Sequence, residues 1–397
     1  MIISHRISLD PTIKQQIFFA KACGCARFAW NWALNEWNKQ HKDGLKPNGN
    51  KLNKQFNKEV KPNNSWLYES PKDSSFRPFI NLQKTFNQFF KKKINYPKFK
   101  RKGEHDSFYL SNTKSVFKII DNKHIKLPLI GLIRVNELLR FDGKIMSATV
   151  SREADKWFIS IAVDIGELKK PRINNGEIGV DLGINHAITT SDGQTFDSPK
   201  PLKSNIVSLR RLSKSHSRKQ KGSNNRYKSQ LKLAKLHVRI KNIRKDWIHK
   251  VTTKLVRENQ TICLEDLNVS GMITNHRLAR SISDIGFGEI RRQLEYKSKI
   301  YDNRIIIIDR WFPSSKTCSR CGCVKNHLDL SERMFHCEHC GFESDRDVNA
   351  SINIKTAGLA GLACGPGSSG FRDDFETKLC RDEAGTRTPK LEIAKAS

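Results

Sequence analysis

Negative charge is what this chain has least of. Its 397 residues include 40 aspartates and glutamates against 72 lysines and arginines, a net charge of +32. That excess goes far beyond what solubility requires and calls for a polyanionic partner, nucleic acid or an anionic membrane. Long apolar runs are also missing: no stretch reaches the roughly eighteen residues a membrane-spanning helix needs. The start, MIISHRISLD, alternates like a strand and lacks the charged segment and apolar centre of a secretory signal. The expectation is a cytosolic protein with nucleic acid as its partner and no membrane. In that reducing setting, ten cysteines point to metal binding where they cluster and not to disulfides. Cys263, in an apolar run, and Cys364 and Cys380 near the end read as unpaired small residues.

After Asp10-Pro11, apolar and aromatic residues recur at helical spacing: Ile17, Ala20, Cys23 or Gly24, Phe28, Trp32 and Trp37. The polar stretch HKDGLKPNGN interrupts this helix. A second, phenylalanine-rich helix through Phe79, Phe86, Phe89 and Phe90 runs into KKKINYPKFKRK. There Tyr96 and Phe99 stand among lysines, a mixture suited to phosphate neutralisation and base stacking, though a solvated basic loop reads the same way. From Ser107 to Ile165 the pattern becomes β, with two strands flanking a turn at Glu153-Ala154-Asp155; a small barrel or sheet is expected. Residues 169–176 read as a linker.

Residues 201–257 hold eighteen Lys and Arg and one acid, Asp246, a local charge of +17. Leu233, Leu236, Ile240, Ile243, Trp247, Val251 and Leu255 make one packing face, leaving the rest strongly basic. Without acids to compensate, such a face needs phosphates, which nominates Arg239, Lys241, Arg244 and Lys245 as nucleic-acid contacts. The last forty residues, 358–397, are balanced in charge and rich in Gly and Ser, and read as a mobile tail.

Three acids carry the chemistry. EIGVDLGINHAITTSDGQTF places Asp181 on an apolar strand followed by a hairpin, which is how RNase H-like folds begin, although sugar-kinase and actin-like phosphate sites open similarly. TICLEDLNV puts Glu265 at a strand end, with Asp266 as competitor, and SDRDVNASINI offers Asp345 and Asp347 at a helix start, where either could be an N-cap. Converging carboxylates repel, and divalent metal resolves that cost; two Mg²⁺ ions are expected. Between the second and third acids lie Cys318-x2-Cys321 and Cys337-x2-Cys340, fifteen residues apart, a spacing for structural zinc; Cys323, His336 and His339 are spare donors.

GVDLGI, LEDLNV, PSSKTCSRCG with FHCEHCG, and DRDVNAS, in that order, with RISLDPTIKQQ and RFAWN before them, resemble the TnpB family of transposon-encoded proteins related to type V CRISPR effectors, over residues 1 to about 355. The resemblance implies an α/β multidomain protein. A wedge-type β-barrel (1–10 and 96–170) with an inserted helical recognition lobe (11–95) would precede an RNase H-like, RuvC-like nuclease domain (177–312 and 342–357) carrying an inserted zinc knuckle (313–341). It implies RNA-guided cleavage of double-stranded DNA beside a short motif, a guide RNA from the transposon end, a prokaryotic cytosol, and catalytic roles for Asp181, Glu265 and Asp347. Ser351 stands where the family usually has alanine. A transposase and a nuclease-silent guided repressor are the alternatives.

Overall fold

The computed structural model describes residues 1–112, 117–166, 176–329 and 331–363; the expected linker falls largely outside them. Two compact units divide the chain: Met1–Leu168 with Gln230–Val238, and Lys169–Ser229 with Arg239–Ser397.

The first unit holds β1 (Ile2–Asp10), α1 (Ile13–Lys42), α2 (Gly49–Gln55) and α3 (Lys72–Phe90), then β2 (Ser107–Ser111), β3 (Lys118–Ile119), β4 (His124–Leu127), β5 (Gly131–Val135), β6 (Lys144–Glu153) and β7 (Lys156–Asp164). The seven strands form one antiparallel sheet in the order β2-β6-β7-β1-β5-β4-β3. The first strand lies inside it, paired to β7 with Ile7 opposite Ile159. The expected turn joins β6 to β7, with Ala154 in the left-handed region at φ 54°, where a Cβ is disfavoured. A capping box between Thr12 and Gln15 starts α1.

The buried stripe of α1 is the expected one only in part: Cys23 and Trp37 are buried and Phe28 and Trp32 pack on a core, but Ile17 is 54% exposed and Ala20 is exposed too. Phe19, Ala22 and Ala26 join Cys23 in the sheet core. Ala29, Trp30, Ala33, Leu34 and Trp37 join Phe56, Phe79, Leu82 and Phe86 in a second, helical core. Alanines let the helix approach closely but are a weak apolar cue in sequence, which explains the misplaced part.

The second unit contains β8 (Glu177–Asp181), β9 (Ile188–Thr190), β10 (Thr195–Phe196), α4 (Pro201–Ser217), α5 (Asn224–Glu258), β11 (Thr261–Glu265), α6 (Val269–Thr274), α7 (Ala279–Ile285), α8 (Phe287–Tyr301), β12 (Arg304–Ile308), the hairpin β13 (Met334–His336) and β14 (Glu343–Asp345), and α9 (Arg346–Ala363). Five strands form a sheet ordered β10-β9-β8-β11-β12. In it β8, β11 and β12 run parallel, and β9 is antiparallel to both neighbours. Strand alternation sends Ile262 and Leu264 to a core with Ile248, Val251, Leu255, Ile290 and Leu294 from α5 and α8. Cys263 faces the other way, onto Ile354 and Ala357 of α9.

Two glycines set how near α9 comes to the sheet. A Cβ on Gly179 would stand 2.0 Å from the Ser351 carbonyl, and one on Gly358 would stand 2.5 Å from Cys263 Sγ. The helix runs to Ala363, past residue 357, where the nuclease segment was expected to give way to the tail. Leu359 packs against the Cys263 cluster and prolongs it. The rest of the tail lies outside the described residues.

Candidate active site

Asp181 ends β8 and Glu265 ends β11, and these strands are parallel neighbours paired through Val180 and Leu264. Parallel pairing in register delivers both carboxylates at one sheet edge. Asp347 comes from the first turn of α9, and its Oδ2 lies 3.9 Å from the point a Cβ on Gly183 would occupy, just past β8. The other two acids are felt at Asp181. Burial, then Glu265, then Asp347 push the Asp181 carboxyl up to about 8, with Arg346 and the Leu182 N–H pulling against them. Burial also raises Glu265, opposed by a hydrogen bond from the Ser314 hydroxyl to its Oε1. Arg346 Nε stands 3.5 Å from Asp347 Oδ1. Among the described residues, four cysteines are the one set of three or more donors lying within 4.8 Å of one another.

The competing acids have other partners. Asp345 Oδ1 accepts from the backbone N–H groups of Asp347 (2.9 Å) and Val348 (3.1 Å), which makes it the N-cap of α9. Asp266 is clamped by Arg291 (2.6 Å) and Arg310, and these hydrogen bonds hold its carboxyl below the ordinary range. Sequence reasoning missed both arginines, because no spacing rule links residue 266 to 291 and 310.

Cys318, Cys321, Cys337 and Cys340 converge, with Sγ–Sγ distances of 3.7 Å (Cys318 to Cys340) and 3.6 Å (Cys321 to Cys337). Gly322 and Gly341, at φ 75° and 67°, let each knuckle turn, and their N–H groups donate to the Cys318 and Cys337 carbonyls. The spare donors stand apart: His336 pairs with Glu343 at 2.9 Å and His339 is exposed. Cys323 is buried beside Phe335, outside the four-sulfur set.

The basic candidates separate. On α5, Arg239, Lys241 and Lys245 are exposed, and Asp246 pairs with Lys250 at 2.8 Å. Arg244 does not belong with them. Its guanidinium donates to the Asp284 carbonyl (2.8 Å) and carboxylate (3.3 Å), and Asp284 is buried and also accepts the Leu202 and Lys203 N–H groups that open α4. Of the expected stripe on α5, Ile240, Val251 and Leu255 are buried and Trp247 packs on the core, while Leu233, Leu236 and Ile243 are only half-buried and Ser229, Ile248, Thr252 and Val256 complete the buried set. The Tyr96 ring packs edge-on to Phe86 and Phe89, and its hydroxyl donates to Asn38. The run from Lys98 to Lys100 is laid along α1 by Trp30 and Asn31, with Lys100 over the Trp30 ring and Phe99 left 53% exposed.

Strand order and strand direction are those of a RuvC-like fold. Family models match residues 160–276 ("Probable transposase", OrfB of the IS605 type), 287–354 ("Cas12f1-like, TNB domain") and 1–46 ("Helix-turn-helix domain"). Over 1–46 the structure has β1 and the single long helix α1. A Streptomyces pristinaespiralis protein named "Putative RNA-guided DNA endonuclease" is 36% identical over 92% of each chain. InsQ of Escherichia coli K12, with the same description, is 32% identical over 91% of this chain and 94% of its own. The solved Cas12f1–sgRNA–target DNA complex matches in fold with a TM-score of 0.56 at 17% identity, over 86% of this chain and 83% of that one. The chain belongs to the TnpB family of OrfB-type, transposon-associated proteins.

Proposed function

We propose that the chain is an RNA-guided DNA endonuclease that hydrolyses phosphodiester bonds at Asp181, Glu265 and Asp347. The observation that carries this reading is the convergence of the three acids: Asp181 and Glu265 end neighbouring parallel strands, and Asp347 opens α9 with its Oδ2 beside Gly183, just past β8. Such a donor set suits hard divalent cations with oxygen ligands, and two ions sharing the acids are what the family resemblance implies. Mg²⁺ held there would neutralise charge on the scissile phosphate and activate water. Asp181 and Glu265 supply their oxygens from rigid neighbouring strands, and Asp347 supplies its own from a capped helix. The four thiolates fit zinc and leave no open position, a structural role.

In this reading the seven-stranded sheet is the wedge-type domain, and α1 to α3 form the recognition lobe inserted after its first strand. The partners are a guide RNA from the transposon end and double-stranded DNA, with base pairing supplying sequence choice and basic side chains holding the backbones. A transposase is the second reading, and the wording of the family description favours it. To separate them, the protein is purified from cells carrying its transposon end and the bound RNA is sequenced. Plasmids bearing the guide match beside a randomised flank are then offered in Mg²⁺. Cutting confined to matched plasmids with particular flanks is expected. RNA-independent cutting and joining of element ends favours the transposase, and guided binding without cutting makes the protein a repressor.

A further inference from the structure

We propose that Ser314 is a positioning residue for the nuclease centre, fixing the Glu265 carboxylate and tying it to the base of the cysteine knuckle. The inference rests on the reading of Asp181, Glu265 and Asp347 as metal-holding acids. Among the described residues the Ser314 hydroxyl is the one hydrogen-bond partner of the Glu265 side chain, donating to Oε1. One oxygen is thereby fixed, and the other is left to ligate.

Ser314 is itself held on every side. It is 4% exposed, its N–H donates to the Phe312 carbonyl (2.8 Å), and its own carbonyl accepts from Asn353 Nδ2 (2.8 Å). Asn353 also donates to the Thr317 carbonyl (2.6 Å), as does Asn349 (2.7 Å), and Asn349 Oδ1 accepts the Ser319 N–H (2.9 Å). Cys318, the first knuckle ligand, sits between those two anchored residues. Both asparagines are buried on α9, and Asn349 lies two positions after Asp347. Burying these amides is costly unless every one is paired. Here they are, so Glu265, the loop into the knuckle and the helix of the third acid form one hydrogen-bonded set. Partners that orient a ligating group in this way typically change metal affinity about tenfold to a hundredfold when removed.

The test compares wild-type protein–RNA complex with Ser314→Ala and Ser314→Thr. Mn²⁺ binding is read from the loss of the free-ion EPR signal, alongside zinc content, thermal unfolding, guide-dependent target binding and the Mg²⁺ dependence of cutting. Ser314→Ala should weaken Mn²⁺ binding and raise the Mg²⁺ needed for half-maximal cutting by about tenfold or more. Zinc content, unfolding temperature and target binding should stay at wild-type values, and Ser314→Thr, which keeps the hydroxyl, should recover most of the loss. Wild-type Mn²⁺ affinity and Mg²⁺ dependence in Ser314→Ala overturns the proposal, as does loss of zinc and fold in both variants. If the wild-type complex never cuts but Ser314→Ala still weakens Mn²⁺ binding, the nuclease reading fails and this one stands.

Discussion

Asp345 and Asp347 stand two positions apart and differ in what they touch. Asp345 accepts two N–H groups at the start of α9, whereas Asp347 has its Oδ2 beside Gly183 and adds, after burial and Glu265, to the raising of Asp181. Losing an N-cap costs about 1 kcal/mol, and losing a metal-holding acid removes the chemistry. Asp345→Ala should therefore lower stability by about that amount in a urea titration and still cut. Asp347→Ala should stop cutting while leaving RNA-dependent target binding intact, and should not destabilise the metal-free protein, because it relieves repulsion on Asp181. A cutting Asp347→Ala beside an inactive Asp345→Ala would move the third acid by two positions. The sequence left this choice open, since either aspartate fits a first turn; cap geometry exists only once the helix is placed.

Among the elements, α5 and α8 are joined by buried polar groups that no periodicity announces. Lys297 Nζ donates to the His249 carbonyl (2.9 Å) and to the hydroxyls of Thr252 and Thr253 (2.7 Å each). Burial lowers the lysine to about 8. Burial first, and then the charges of Lys297 and Lys245, lower His249 from 6.5 to about 4. Unfolded chain thus binds a proton at residue 249 below about 6.5 that the folded chain refuses down to about 4. More protons on the unfolded side mean that stability rises with pH through that window and is lost as pH falls through it. His249→Gln should flatten this limb when urea midpoints are compared at pH 4.5, 5.5 and 7; an unchanged limb assigns it to other groups. The strands bearing Asp181 and Glu265 were legible as short apolar runs. The alanine-rich face of α1 and the last turns of α9 were not, because small residues gain their packing value from what they meet.

For the whole molecule, the +32 charge sets how binding responds to salt. Each phosphate neutralised adds about 0.7–0.9 to the slope of log affinity against log salt. Changing Arg239, Lys241 and Lys245 together to Gln should reduce the slope for guide RNA or heteroduplex by about 2–3 if all three meet backbone; an unaltered slope removes this face of α5 from the footprint. Arg244 belongs to a different experiment. Its replacement by Gln should cost about 2–3 kcal/mol of stability, through the lost charged hydrogen bonds to Asp284, with the salt slope preserved.

What the sequence by itself determined was chemistry written in local order: the cysteine pairs, the acids at strand ends and a helix start, the excess of cations, and the family those motifs mark. Each depends on neighbours a few residues away, where spacing stands in for geometry. Only the tertiary structure decided which partners each competing residue meets. Asp345 became a cap, Asp266 an arginine-clamped ion pair, Arg244 a partner of the buried Asp284, and Ser314 the partner of Glu265 from 49 residues away. Those roles arise from desolvation and from hydrogen bonds between segments distant in the chain, and both exist only after the strands and α9 have packed.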